Sequence, residues 1–187
     1  MKTLVVYSSR TGNTEKVARA IADCLPQPCD VLPVDQAPDL SAGAGTHGYG
    51  FVALGFWVDK GGPDAAAAKY MQAVKGCRVG LFGTLGAWPD SDHARDCIRR
   101  AEEMMAGNEV LGTFLCQGRI DPAVIAMMQK MASDAHPMTP ERIARIQEAE
   151  RHPDEKDLAA AQAAFRAMAD RLAAPVTPVA TAPGGPA

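Results

Sequence analysis

The sequence predicts an α/β domain built on a doubly wound, five-stranded parallel sheet of strand order 2-1-3-4-5. Short β-branched or aromatic runs, each closed by glycine, serine or another loop former, recur along the chain and have the length of strands buried on both faces. Segments with helical periodicity separate them. Strands alternating with helices specify right-handed crossovers, and an open sheet of this kind takes ligands outside the carboxyl ends of its strands.

The first run is Thr3 to Tyr7, followed by a helix with Val17, Ile21, Cys24 and Leu25 on one face. A weaker second strand is read at Asp30 to Val34, and a third at Phe51 to Leu54. Ala67, Tyr70, Met71 and Val74 mark the next helix, Arg78 to Phe82 the fourth strand. Ala94, Cys97, Ile98, Ala101 and Met105 follow at helical spacing, and Val110 to Leu115 is the fifth strand. Beyond it, Asp121 and Pro122 read as the N-cap and first position of a helix running to Ala132, and Thr139-Pro140-Glu141 opens another. The alanine-rich stretch Asp154 to Leu172 aligns Leu158, Ala161, Phe165, Met168 and Leu172, so this last helix is expected to pack on the sheet. The two before it, about residues 120–152, form a helical insertion. The domain spans residues 1–172. Residues 173–187 are proline, alanine and glycine without periodicity, the composition of a disordered tail.

A chain of 187 residues with 47% apolar content supports one core. Its net charge of −3 and scattered basic residues give no electrostatic case for nucleic acid. No apolar run approaches the ~20 residues that span a bilayer, and residues 1–20 lack a secretory pattern, so no membrane span and a cytoplasmic location are expected. Five cysteines without a C-x-x-C pair read as reduced, mostly buried thiols, and the four histidines show no metal-binding spacing.

The chemistry is concentrated in the loop after the first strand. A strand turning directly into a helix gathers free backbone N–H groups and the positive end of the helix dipole at one point, which binds anions. Ser8, Ser9, Thr11, Asn13 and Thr14 add side-chain donors there, and Gly12 lets the backbone approach closely. A helix cap alone would need one such residue. The loop lacks the Gly-Lys-Ser/Thr of a Walker motif and the three glycines of a dinucleotide loop, and no cysteine has the Cys-x5-Arg spacing of a phosphatase. What it has is Ser9-Arg10-Thr11-Gly12-Asn13-Thr14 directly after a first strand.

That motif resembles the FMN phosphate loop of flavodoxins. The resemblance covers roughly Met1 to Gln117 plus the last helix, and implies a flavodoxin-like fold with FMN as cofactor. It places the flavin ring against the loops after the third and fourth strands, which hold the only two tryptophans. From the first loop it implicates Phe56, Trp57, Val58 and Gly61, and from the second Thr84, Leu85, Gly86, Ala87 and Trp88. An aromatic face and glycine backbone suit a flat heteroaromatic ring with a polar edge. The chain departs from the family pattern in four ways. The second loop is shorter and lacks Gly-Asp before its aromatic residue, Val58 rather than glycine follows Trp57, the chain is only mildly acidic, and there is an insertion after the fifth strand. Flavodoxins tune FMN with a glycine peptide near ring nitrogen N5, a part that Gly61 or Gly62 would have to supply, and Lys60 would add positive charge nearby.

The function implied is electron transfer between redox partner proteins, with no substrate chemistry of the chain's own. The alternative is an FMN-dependent reductase in which the insertion helps build a pocket over the ring for a quinone, tetrapyrrole or nicotinamide, or the flavodoxin-like subunit of one. A flavodoxin fold that has lost FMN is a third reading. The charged run Glu141 to Asp157 reads as a solvated helical face or, functionally, as a docking surface. Met127, Met128, Met131 and Met138 are expected to pack, and His93 to be a solvated first-turn residue.

Overall fold

The computed structural model describes residues 2–131 and 137–173. Its elements are β1 (Lys2–Tyr7), α1 (Asn13–Ala22), β2 (Cys29–Pro33), β3 (Tyr49–Asp59), β4 (Gly62–Pro63), α2 (Ala65–Ala73), β5 (Arg78–Leu85), α3 (Asp92–Met104), β6 (Glu109–Gln117), α4 (Pro122–Lys130), α5 (Pro140–Ala149) and α6 (Glu155–Ala173). Five strands form a parallel sheet in the order β2-β1-β3-β5-β6, the expected 2-1-3-4-5 order counted along the long strands. The short β4 pairs antiparallel with the end of β3. The predicted tail lies outside the described residues from 174 onward.

Side chains alternate between two cores because strand residues point to opposite faces with a period of two. Val52, Leu54 and Phe56 of β3 and Val79 and Leu81 of β5 join Ala67 and Met71 of α2 and Ala101 of α3. Phe51, Ala53 and Phe82 face the other way, toward Val17, Ala18 and Ile21 of α1 and Ala161, Phe165 and Met168 of α6. Phe165 anchors α6 on the sheet, its ring 5.8 Å from Phe82 edge-on and 6.2 Å from Phe51. The last helix therefore takes the place its apolar face predicts.

Two strands run further than the sequence indicates. Gly55 and Gly83 read as strand ends, yet β3 continues to Asp59 and β5 to Leu85. The missing side chains are what the packing needs: a Cβ at Gly55 would lie 2.2 Å from the Phe82 ring, and one at Gly83 would lie 2.9 Å from Phe56. Phe56, Trp57 and Val58 are thus strand residues rather than loop residues. β3 turns into β4 through Lys60 (φ 48°) and Gly61 (φ 84°), two consecutive positive φ angles that fit the right-handed twist of a two-residue hairpin.

The segment after β6 forms two helices before α6. α5 buries Ile146 and Ala149, and α4 buries none of its residues. Packing was expected of the methionines here, but Met127 and Met131 are 54% and 68% exposed. The segment is tied to the rest by polar bonds: Arg10 to Asp121 at 2.9 Å, the Arg119 amide to the His152 carbonyl at 3.0 Å, and Lys16 Nζ to the Pro153 carbonyl at 2.6 Å. Among the described residues no helix is long and apolar enough to cross a membrane.

Candidate functional site

The carboxyl ends of β1, β3 and β5 open into one groove of about 1280 Å³, above the ~300–1,000 Å³ of ordinary small-molecule pockets. Its first wall is the loop from β1 to α1. Helix α1 begins at Asn13, with Gly12 in the cap position at φ 85°. No side chain caps it. The other α-helices among the described residues are each closed by one: Asp64 for α2, Ser91 for α3, Asp121 for α4, Thr139 for α5 and Asp154 for α6. A loop with several residues of capping type leaves the α1 amides open, where they concentrate positive potential.

The hydroxyls of this loop divide by what they hold. Ser8 Oγ donates to Asp64 Oδ1 at 2.7 Å, so it orients the α2 cap and not a ligand. Thr14 Oγ1 and Thr84 Oγ1 bond each other at 2.9 Å, both buried, and fix α1 against the end of β5. Asn13 Nδ2 donates to Thr11 Oγ1 and to the Arg119 carbonyl, both at 2.9 Å. Ser9 Oγ is buried with no partner. A buried, unpaired hydroxyl costs about 1–3 kcal/mol, and it lies beside an uncapped helix end. The donor set is neutral and fits a phosphate monoester.

The second wall comes from β3 and its hairpin. Trp57 pairs with Thr84 across the sheet and is partly buried, with the Arg10 guanidinium 5.5 Å from its ring centroid. Arg100 of α3 donates to the Gly61 carbonyl at 3.0 Å and so clamps the hairpin tip. Trp88, after β5, is 45% exposed and lies on the groove with Leu85, Gly86 and Ala87. Ile120 packs directly on Gly86, where a Cβ would come within 2.5 Å of it.

Arg10, Thr11, Asn13, Trp57, Val58, Gly61, Thr84, Leu85, Gly86, Ala87 and Trp88 therefore converge on one groove. Ser9, Gly12 and Thr14, also expected at the site, are not among the residues that line it. Phe56 does not reach it, because strand alternation sends its side chain, 1% exposed, into the α2–α3 core. His93, expected in solvent, is exposed and also lines the groove.

Sequence reasoning allowed the insertion a part in a pocket over the ring but named none of its residues in the site; Arg119, Ile120, Val124, Met127, Met128, Arg142 and Arg145 form this third wall. The usable signal was topological: β6 ends at the same sheet edge as β1, β3 and β5, so whatever follows it starts beside the ligand crevice. Asp121 is held below the usual carboxylate range first by the Ala123 amide and then by Arg10. Burial, and then Arg142, pushes the Arg145 guanidinium below its ordinary value.

A family model described as a flavodoxin domain matches residues 4–166. The chain belongs to the flavodoxin domain family. It is 34% identical over 161 residues to the flavodoxin-like domain-containing protein BilS of Clostridioides difficile, covering 84% of this chain and 90% of that one. It is 28% identical over 178 residues to the BilS of Clostridium symbiosum, covering 87% and 93%. Flavodoxin 2 of Bacillus cereus superposes with a TM-score of 0.57 at 17% identity, covering 91% of this chain and 99% of that one, a likeness of fold. The flavodoxin match includes the segment that roofs the groove, so α4 and most of α5–α6 lie within the matched length.

Proposed function

We propose that the protein binds FMN in this groove and carries electrons between redox partner proteins. The observation that carries the reading is the α1 N-terminus, left without a side-chain cap beside the buried, unpartnered Ser9 hydroxyl, in a flavodoxin-family chain. FMN, when bound, supplies one- and two-electron transfer, and the polypeptide supplies binding, orientation and potential. Ser9, Thr11 and the amides from Gly12 to Glu15 would hold the phosphate. Thr14 positions that loop through Thr84, and Trp57, Trp88 and the Gly86–Ala87 backbone would hold the ring. Partners are expected at the groove mouth, where Trp88 is exposed.

Flavin absorbance in the purified protein is the first expectation. Ser9→Ala should weaken FMN binding by about tenfold or more, as loss of a hydrogen bond to a charged group (~1.5–3 kcal/mol) implies, and leave riboflavin binding unchanged. Equal losses for the two ligands would remove the phosphate from this loop. A second reading, direct reduction of a small molecule, is favoured by the groove's size and by its α4–α5 roof. Anaerobic titration separates the two: a reductase oxidises NADH or NADPH with a small acceptor and no added protein, whereas the carrier is reduced only through a second protein.

A further inference from the structure

The groove holds a cation pair that the flavin reading does not use. Arg142 and Arg145, three residues apart on α5, both line it. The Nε atoms of both are buried without a hydrogen-bond partner, and neither side chain pairs with a carboxylate among the described residues. Arg142 has a 3.4 Å bond from Nη1 to the Pro137 carbonyl, which leaves its inner N–H unsatisfied. Both side chains are partly buried, and two neighbouring guanidinium groups repel each other and leave their buried Nε donors unpaired, an arrangement that an anion would complete. Cations outnumber acids around the groove although the whole chain is net negative.

The surface next to this pair is apolar. No residue of α4 is fully buried in the fold, and its Val124, Met127 and Met128 line the groove with Ile120 and Trp88. Methionine and tryptophan adapt to flat or irregular apolar ligands. The guanidinium fork matches a carboxylate in two-point geometry.

We propose that Arg142, Arg145 and the apolar face of α4 form a binding site for a small apolar molecule bearing a carboxylate. The pair lines one groove together with the apolar residues of α4, which favours a small ligand over an acidic protein surface. The site goes beyond the electron-carrier reading and does not depend on it, because its residues come from the segment after β6 and not from the Ser9–Thr14 loop.

The test uses two probes of one shape, 2-naphthoate and uncharged 2-naphthamide, titrated calorimetrically into the 187-residue protein. 2-Naphthoate should bind at least tenfold more tightly than the amide, and Arg142→Gln with Arg145→Gln should abolish that difference. Met127→Ser should weaken both probes together. FMN affinity, measured on the same variants, should stay within twofold of the parent, so failure of the FMN reading and failure of this one are read separately. Equal binding of the two probes to the parent protein overturns the proposal without recourse to any variant. So does a tenfold loss of FMN affinity in the arginine variants, which would give the pair to the cofactor. Binding of polyglutamate but not of 2-naphthoate would make the surface a protein dock, and would also overturn it.

Discussion

His152 stands where α5 hands the chain to α6, and its ring is held from both sides. Nδ1 meets Asp157, and Nε2 lies 3.5 Å from Glu148. The Asp157 hydrogen bond is the main cause that raises the imidazole above its ordinary value, against a smaller opposing effect of burial. A folded-state value raised above the unfolded one, about 6.5, gives stability that is fully present below about pH 6.5. It is lost as pH rises through the folded value. Urea unfolding should therefore show His152→Gln losing more stability at pH 6 than at pH 9, and an equal loss at both would remove the pair from the pH response. Lys60 makes a different demand. It sits exposed at the tip of the β3–β4 hairpin and lines the groove with Arg100. If FMN lies there, Lys60→Ala should lower its midpoint potential, since a lost cation disfavours the added electrons. Unchanged potentials would take Lys60 out of the tuning.

At the scale of elements, α6 is the clearest dependence. Phe165 is fully buried between Phe51 and Phe82, and a Cβ placed at Gly80 would lie 2.7 Å from its ring. Phe165→Ala should cost about 3–5 kcal/mol of stability in denaturant unfolding, with no change in which ligands bind. Most elements were legible in the sequence because apolar spacing and capping residues are local signals. Asp121-Pro122 and Thr139-Pro140 open α4 and α5 where they should, each with its cap bond formed. The ends of β3 and β5 were not legible. Gly55 and Gly83 look like breakers until Phe82 and Phe56, distant in sequence or on a neighbouring strand, are seen to fill the missing volume. Phe56 was misplaced for the same reason: once the strand continues through Gly55, alternation turns its ring away from the groove.

For the whole molecule, the candidate site is half local and half topological. The side formed by the β1–α1 loop was legible because the strand end, the loop and the helix start lie within eight residues of one another. Its far side was not, since Arg142 and Arg145 reach the groove only after a sheet crossover, two helix starts and an Arg10–Asp121 bridge have been placed. The open start of α1 has a consequence beyond binding. A ligand that closes it is held by the native chain alone, so it raises folding stability by about 2.7 kcal/mol at a hundredfold excess over its dissociation constant. Under the FMN reading, protein made ahead of its flavin would be the fraction that unfolds and is degraded first. Under the FMN reading, the amount of this protein in a cell follows the supply of its cofactor, with no regulator needed beyond an uncapped helix.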